Sequence, residues 1–191
     1  MTKIAIGMAT NGTVKSRTMF CVAETLRTLK HETYLIVKSS CMVHINREDI
    51  AKEAIKQNCS HVLFIDADMY FHPEVVDILL KRDKDIIGVA TNYRSLPLTT
   101  TVKVADTEGN LVGKEYPDKL FTCYAVGTGF MLIKTSVFKK IPHPWFFLES
   151  DEEGNMKTGE DVWFCKKARE MGYEIWCDPT VVVKHIGDYL Y

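Results

Sequence analysis

The chain has 191 residues, with 24 lysines and arginines against 25 aspartates and glutamates, and its formal net charge at pH 7 is -1. Hydrophobic residues make up 46% and charged residues 26%, a composition that is typical of a folded domain and excludes a disordered or fibrous chain. The balanced charge lacks the basic excess of nucleic-acid-binding proteins, so we expect no nucleic acid partner.

The first half of the chain predicts strands that alternate with helices. Four short apolar runs, each bounded by polar or turn residues, indicate buried strands. They span residues 3–9, 34–37, 62–65 and 86–89. Between them, apolar residues recur at helical spacing; Ser16 and Asn46 are expected to cap the first two of these helices, and Pro73 to lie in the first turn of the third. Repeated βα units require right-handed crossovers, so we expect an α/β, Rossmann-like fold with a mixed, mostly parallel central sheet flanked by helices.

The second half of the chain has a different pattern. A β-hairpin is predicted from residues 99–104 and 111–116 around a turn at 106–110, followed by an interrupted strand at 124–134. A polar, mobile loop at 149–158, a helix at about 159–171 and two short strands at 173–177 and 180–184 complete the pattern. Because no linker, repeat or low-complexity segment divides the chain, we predict a single domain over residues 1–191.

The most informative motif is Asp66-Ala67-Asp68, which directly follows the apolar run 62–65. Open α/β sheets bind ligands at the carboxyl ends of their strands, where the strand order reverses. Two carboxylates placed there repel each other unless a cation or a hydrogen-bond donor compensates them. Oxygen ligands suit Mg²⁺ or Mn²⁺, which share their coordination with ligand phosphates. The motif therefore predicts a metal–phosphate site; the alternative is that Asp66 only caps a turn and Asp68 faces solvent.

Two further polar motifs lie at the ends of predicted elements. Glu160 and Asp161 begin the last helix, where the helix dipole favours carboxylates, and Thr158 with Asp161 would also form a variant capping box. His185 directly follows an apolar strand, and Gly187 lets the chain after it turn into a cleft. Taken alone, the carboxylates are explained by capping and the histidine by an ordinary hydrogen bond.

In this order, the motifs resemble those of the GT-A glycosyltransferases, which transfer sugars from nucleoside-diphosphate donors, and especially the compact family-2-like members. The resemblance extends over nearly the whole chain. It rests on the opening strand and loop Thr10-Asn11-Gly12, on Asp66-Ala67-Asp68, on Gly127-Thr128-Gly129, on Glu160-Asp161 and on His185-Ile186-Gly187. It implies a GT-A fold in which about residues 1–98 bind the nucleotide and about residues 99–191 bind the acceptor.

The resemblance also implies a role for each of the charged residues in these motifs. Asp68 would ligate a divalent metal, Mn²⁺ or Mg²⁺, and Asp66 would reach the same metal, its water or the ribose. His185 matches a position that often supplies a further metal ligand. Asp161 matches the general base of inverting members, and Glu160 matches a residue that orients the acceptor or the donor sugar. Such groups suit sugar transfer because a metal stabilises a leaving diphosphate and a carboxylate removes a hydroxyl proton.

Other residues are expected to bind the nucleotide sugar. Thr10 and Asn11 lie where the family binds the nucleobase and ribose, although a simple turn would also explain them. Arg47, near the start of the second helix, could reach the diphosphate or lie on the surface. Asn92, followed by Tyr93 and Arg94, comes after the fourth strand and faces the same sheet edge. Gly129 permits close approach of a ligand to the backbone, or else marks a β-bulge.

The resemblance implies a UDP- or GDP-linked sugar as donor and leaves the acceptor open among a glycan, a protein and a small molecule. It also leaves open whether transfer retains or inverts the anomeric configuration. Two other functions remain as alternatives. A nucleotidyltransferase acting on a sugar phosphate usually carries a glycine-rich, basic loop, of which residues 7–12 are a poor version. A non-catalytic nucleotide-sugar binding module would not need Asp161.

The sequence gives no indication of a targeting segment. The apolar run Ile4-Ala5-Ile6 is too short for the core of a signal peptide and far too short to span a bilayer. The six cysteines contain no C-x-x-C pair, which favours reduced thiols that are mostly buried as small hydrophobes. We therefore expect a cytoplasmic protein without a transmembrane segment.

Overall fold

The computed structural model describes residues 2–94, 99–105, 111–112 and 116–187. The helices are α1 (Ser16–Thr28), α2 (Val43–Lys56), α3 (Glu74–Lys81), α4 (Thr135–Phe138) and α5 (Glu160–Glu170). The first seven strands are β1 (Lys3–Thr10), β2 (Glu32–Ser39), β3 (His61–Asp66), β4 (Met69–Phe71), β5 (Ile86–Val89), β6 (Val104–Ala105) and β7 (Leu111–Val112). The others are β8 (Phe121–Cys123), β9 (Phe130–Lys134), β10 (Glu149–Ser150), β11 (Met156–Thr158), β12 (Ile175–Asp178) and β13 (Val183–His185).

A central sheet of seven strands, in the order β2-β1-β3-β9-β5-β12-β8, organises the molecule. Strands β2, β1, β3, β5 and β12 run in one direction, whereas β9 and β8 run in the opposite one. The predicted α/β fold with a mixed, mostly parallel sheet is therefore confirmed. The strand order also brings the carboxyl ends of β1, β3 and β5 to the same edge as the start of β9.

Strand β3 is apolar throughout because both faces of the sheet are covered. Val62 and Phe64 face one hydrophobic cluster, which includes side chains of α2, α4 and α5. Leu63 and Ile65 face a second cluster, which includes side chains of α1 and α3. This two-sided packing fixes the position of Asp66, the last residue of the strand.

Short elements account for most of the differences from the predicted pattern. Strand β4 was not predicted, since three residues carry too little periodicity to distinguish a strand from a turn. The predicted strand at 124–134 begins only at Phe130, and the predicted loop at 149–158 contains the antiparallel strands β10 and β11. Asp151 holds the turn between them by accepting hydrogen bonds from the backbone N–H groups of Glu153 and Asn155, at 3.0 and 2.8 Å.

The predicted hairpin of the second half is partly observed. Strand β6 pairs antiparallel with β7, but the turn expected at 106–110 lies outside the described residues. The cysteine prediction is confirmed: all six thiols are free, and only Cys41 is exposed. In the described part of the chain, every helix is too short or too polar to cross a membrane.

Three predicted helix caps are wrong. Ser16 is the first residue of α1 rather than its cap, and Lys15 precedes it without a side-chain capping bond. Asn46 lies inside α2, which already begins at Val43. Its side chain donates hydrogen bonds to two loops, as described below. At α5, the capping position is occupied by Gly159, which has no side chain to cap the helix. The capping box predicted for Thr158 and Asp161 therefore does not form.

Candidate functional site

Asp66, Asp68 and His185 meet at the carboxyl edge of the sheet. One ligand atom from each lies within 4.8 Å of the others, which is close enough for a shared cation. Strand β4 brings the histidine there, because it leaves the aspartate motif and pairs antiparallel with β13, placing His185 opposite Met69. The backbone N–H of Ile186 also donates to the carbonyl oxygen of Asp68 at 2.7 Å.

One ring nitrogen of His185 bonds to the backbone. Its Nδ1 atom donates to the backbone carbonyl oxygen of Asn92 at 2.6 Å. In a neutral ring this bond fixes the tautomer and leaves the lone pair on Nε2; many metal-bound histidines have such a second partner. Two carboxylates and one imidazole fit a divalent cation with a preference for oxygen and nitrogen ligands. Asn92 therefore supports the site through its backbone, and a contact of its side chain with a nucleotide sugar stays a prediction.

Arg47 is buried between two carboxylates. Its side chain is 4% exposed; Nη2 lies 2.7 Å from Oδ1 of Asp66, and Nη1 pairs with Oε1 of Glu160. Burial alone would lower the pKa of Arg47, but the charges of Asp66 and Glu160 outweigh it and raise that pKa. The guanidinium is therefore charged and held by these carboxylates, and the predicted contact of Arg47 with a diphosphate stays untested.

Asp161 lies at the start of α5, next to Glu160. Burial raises its pKa, and the negative charge of Glu160 adds to this rise. The backbone N–H of Val162, which donates to Oδ1 at 2.7 Å, and the charge of Arg47 act in the opposite direction. A carboxylate whose pKa is raised accepts a proton more readily, which is what a general base requires.

A cavity of about 380 Å³ opens beside the aspartate motif. It lies between the loop after β1, the end of β2, the start of α2 and the residues after β3. Its lining includes Thr10, Asn11, Ser40, Asn46, Asp66, Asp68 and Arg94. Its volume falls within the range of about 300–1,000 Å³ that is usual for small-molecule sites.

Hydrogen bonds within the loop after β1 set the shape of this cavity. The hydroxyl of Thr10 donates to the carbonyl oxygen of Thr13 at 2.6 Å and accepts from the N–H of Gly12 at 3.1 Å. The Asn46 amide donates to the carbonyl oxygens of Thr10 and Ser40, at 3.1 and 3.2 Å, and so ties α2 to both loops. Thr10 therefore shapes the loop with its side chain, while Asn11 is exposed at the cavity.

Gly129 lies against the aspartate motif. Its carbonyl oxygen accepts a hydrogen bond from the N–H of Asp66 at 2.9 Å. A Cβ atom at this position would come within 2.9 Å of Oδ2 of Asp66 and 2.3 Å of the terminal carbon of Met69. A larger residue here would have to displace both the Met69 methyl group and the Asp66 carboxylate.

Comparison with solved structures places this geometry in a known fold. The chain aligns over 98% of its length, and over 87% of the other chain, with the crystal structure of A197 from STIV, at 16% identity and a TM-score of 0.66. It also aligns over 94% of its length, and 80% of the other chain, with a protein from Desulfovibrio desulfuricans G20 that is provisionally named a nucleotide-diphospho-sugar transferase, at 10% identity and a TM-score of 0.50. The chain has the fold of these proteins.

Protein-family models and curated proteins gave no match to this sequence. The likeness is therefore visible in the arrangement of the strands and helices rather than in the sequence as a whole. At 16% and 10% identity, the solved structures show the fold alone, so the residues of the site carry the functional argument.

Three ion pairs of the site were not predicted from the sequence. Two join Arg47 to Asp66 and to Glu160; the third joins Nη1 of Arg94 to Oδ2 of Asp68, at 2.7 Å. The sequence indicated only that Arg47 lies near the start of the second helix and that Arg94 follows the fourth strand. It carried no signal for the carboxylate that each would contact, because the partners are remote in sequence and meet only in the folded chain.

Proposed function

We propose that this protein is a metal-dependent glycosyltransferase that moves a sugar from a nucleoside-diphosphate sugar to an acceptor hydroxyl. One observation carries the proposal: ligand atoms of Asp66, Asp68 and His185 lie within 4.8 Å of one another, and both aspartates line a cavity of ligand size. The fold shared with the protein from Desulfovibrio desulfuricans G20 agrees with a nucleotide sugar as the donor.

In this proposal Asp68, His185 and the free oxygen of Asp66 hold the cation. Mn²⁺ and Mg²⁺ are the ions that suit carboxylate oxygens combined with ligand phosphates. When bound, such a cation neutralises charge that develops on a leaving diphosphate. Arg47 occupies Oδ1 of Asp66 and keeps that carboxylate in a fixed orientation. His185 presents Nε2 because the Asn92 carbonyl oxygen holds Nδ1.

Asp161 would accept the proton of the acceptor hydroxyl as the new glycosidic bond forms. Its raised pKa makes it a stronger base than an exposed aspartate, and a base of this kind contributes about 10²–10⁴-fold to a rate. Glu160 is paired with Arg47 and has the proposed role of orienting the acceptor or the donor sugar. If the transfer retains configuration, Asp161 positions the acceptor instead of taking its proton.

The cavity beside β1 would receive the nucleoside, with Asn11 at its entrance and the diphosphate directed towards Asp68. About residues 1–98 then bind the donor together with Gly129, which lies against Asp66, and the part from 99 onwards brings Glu160 and Asp161 to the acceptor side. UDP and GDP are the nucleotides to test first, since both are common sugar carriers.

The experiment has two stages. Calorimetric titration with UDP and GDP, in Mn²⁺ and then in excess chelator, should show binding that requires the metal and that Asp68→Ala abolishes. Release of UDP or GDP from their sugars should then fall about 10²–10⁴-fold in Asp161→Asn, while nucleotide binding persists. Glu170→Gln is the matched control, because Glu170 is an exposed carboxylate near the other end of α5.

The outcomes separate the candidate functions. Tight nucleotide binding that survives in chelator contradicts the metal role. Pyrophosphate release from a nucleoside triphosphate and a sugar phosphate would instead identify a nucleotidyltransferase. Metal-dependent binding of nucleotide sugars, with turnover that is absent from the wild type, would identify a binding module.

A further inference from the structure

Arg94 and a divalent cation require the same carboxylate. Nη1 of Arg94 lies 2.7 Å from Oδ2 of Asp68, one of the three residues of the metal-competent group. A guanidinium at this distance places positive charge on the oxygen atoms that a cation would use. Because like charges repel, pairing of Arg94 with Asp68 weakens cation binding at that carboxylate, and a bound cation weakens the pairing.

The surroundings of Arg94 allow it to leave this pair. Its side chain is 59% exposed, whereas that of Asp68 is 16% exposed, so the arginine can turn into solvent more easily than the aspartate. Arg47 differs in this respect, because it is buried between two carboxylates and cannot exchange partners without exposing them. Arg94 also lines the cavity beside the motif, which the proposed diphosphate would enter.

We infer that Arg94 is an exchangeable counter-charge of the donor site. It pairs with Asp68 before the metal binds, and it transfers its hydrogen bonds to the diphosphate that arrives with the metal. A guanidinium suits both partners, because its planar set of N–H donors matches carboxylate and phosphate oxygens equally well. The inference rests on the proposed function and adds a positioning role for a residue outside the metal-ligand group.

The test measures two affinities that should change in opposite directions in Arg94→Gln. Mn²⁺ alone, followed by electron paramagnetic resonance at low ionic strength, should bind about two- to fivefold tighter because a solvent-exposed competitor has been removed. UDP or GDP, titrated in saturating Mn²⁺, should bind about tenfold more weakly because charge-assisted hydrogen bonds to the phosphates are lost. A merely structural arginine would not produce opposite signs.

Arg27→Gln is the matched control, since Arg27 is 69% exposed and pairs with Glu24 on the surface of α1, so both affinities should stay unchanged. Arg94→Lys should keep part of the nucleotide affinity. If Arg94→Gln binds Mn²⁺ no tighter than the wild type, or if both affinities fall together, the inference is overturned. The wild-type nucleotide titration reports on the proposed function independently, so the failure of one is distinguishable from the failure of the other.

Discussion

Arg47 and Glu160, which are 113 positions apart in the chain, form an ion pair that joins α2 to α5. The same guanidinium contacts Asp66 at the end of β3. The buried guanidinium of Arg47 therefore links the proposed metal site to the helix that carries the proposed base. Because both carboxylates bind this one guanidinium, Arg47 sets the distance between Asp66 and Glu160.

Replacing Arg47 should destabilise the whole domain. Arg47→Met leaves the carboxylates of Asp66 and Glu160, which are 31% and 15% exposed, without their shared partner, and the loss of such a partner costs about 1–3 kcal/mol. The free energy of unfolding from urea denaturation should fall by that amount. The exposed Arg27 is the control, and Arg27→Met should leave the midpoint almost unchanged. An equal effect of both substitutions would contradict the structural importance of the Asp66–Arg47–Glu160 contacts.

The pH dependence of transfer should report the raised pKa of Asp161. The base is inactive when it is protonated, so kcat/KM should fall as the pH decreases through a pKa that lies above the ordinary aspartate value of 3.8. The groups that face Asp161 and affect this pKa are Glu160 and Arg47. An acidic limb centred at or below the ordinary value would argue against Asp161 as the base.

The same raised pKa has a consequence for stability. The folded state binds the Asp161 proton more tightly than the unfolded state, so its favourable contribution is complete below the ordinary pKa and is lost as the pH rises through the folded-state pKa. At neutral pH, Asp161→Asn should therefore melt at a higher temperature than the wild type, and the difference should shrink on acidification. Glu170→Gln, at an exposed position, should show no such trend.

Loss of the His185 imidazole should weaken metal binding. His185→Ala removes one of three ligands and should reduce Mn²⁺ affinity by at least about tenfold, measured by electron paramagnetic resonance. His72 offers a matched control, because its side chain is 72% exposed beyond the end of β4, away from the ligand group. Equal affinities of the wild type and His185→Ala would return the histidine to a purely structural role.

A methyl group at Gly129 should disturb the Asp66 carboxylate. Gly129→Ala places Cβ within 2.9 Å of Oδ2 of Asp66, and such overpacking costs about 1–3 kcal/mol of folding stability. Mn²⁺ affinity should fall with it, because the carboxylate must move. Gly187→Ala is the control: its Cβ would meet nothing within 4 Å. Unchanged metal affinity in Gly129→Ala would show that Asp66 tolerates displacement.

The parts of the site that local sequence specifies could be predicted. Asp66 was placed at a strand end because an apolar run of strand length precedes it and both faces of that strand are covered. Glu160 and Asp161 were placed at a helix start for a similar reason, since the helical pattern begins with them. The mostly parallel sheet could be predicted because strands alternate with helices in the sequence, and such units require right-handed crossovers.

The parts that depend on remote packing could not be predicted. Arg47 was expected near a diphosphate or on the surface, and nothing near it in the sequence indicates burial against Glu160. The pair of Arg94 and Asp68 likewise forms only after β4 and β5 have taken their places. Asn46 was expected to cap α2, because asparagine favours that position; its actual partners, the carbonyl oxygens of Thr10 and Ser40, belong to loops on either side.

Strand β13 lies outside the central sheet, whose last member in chain order is β12. A product terminated after Asp178 would keep all seven strands of that sheet and lose the imidazole that completes the ligand group. The segment after Asp178 thus supplies the nitrogen ligand that the sheet lacks, together with Val181 and Val183 of the second hydrophobic cluster. Loss of this segment would therefore remove core packing and the imidazole at once.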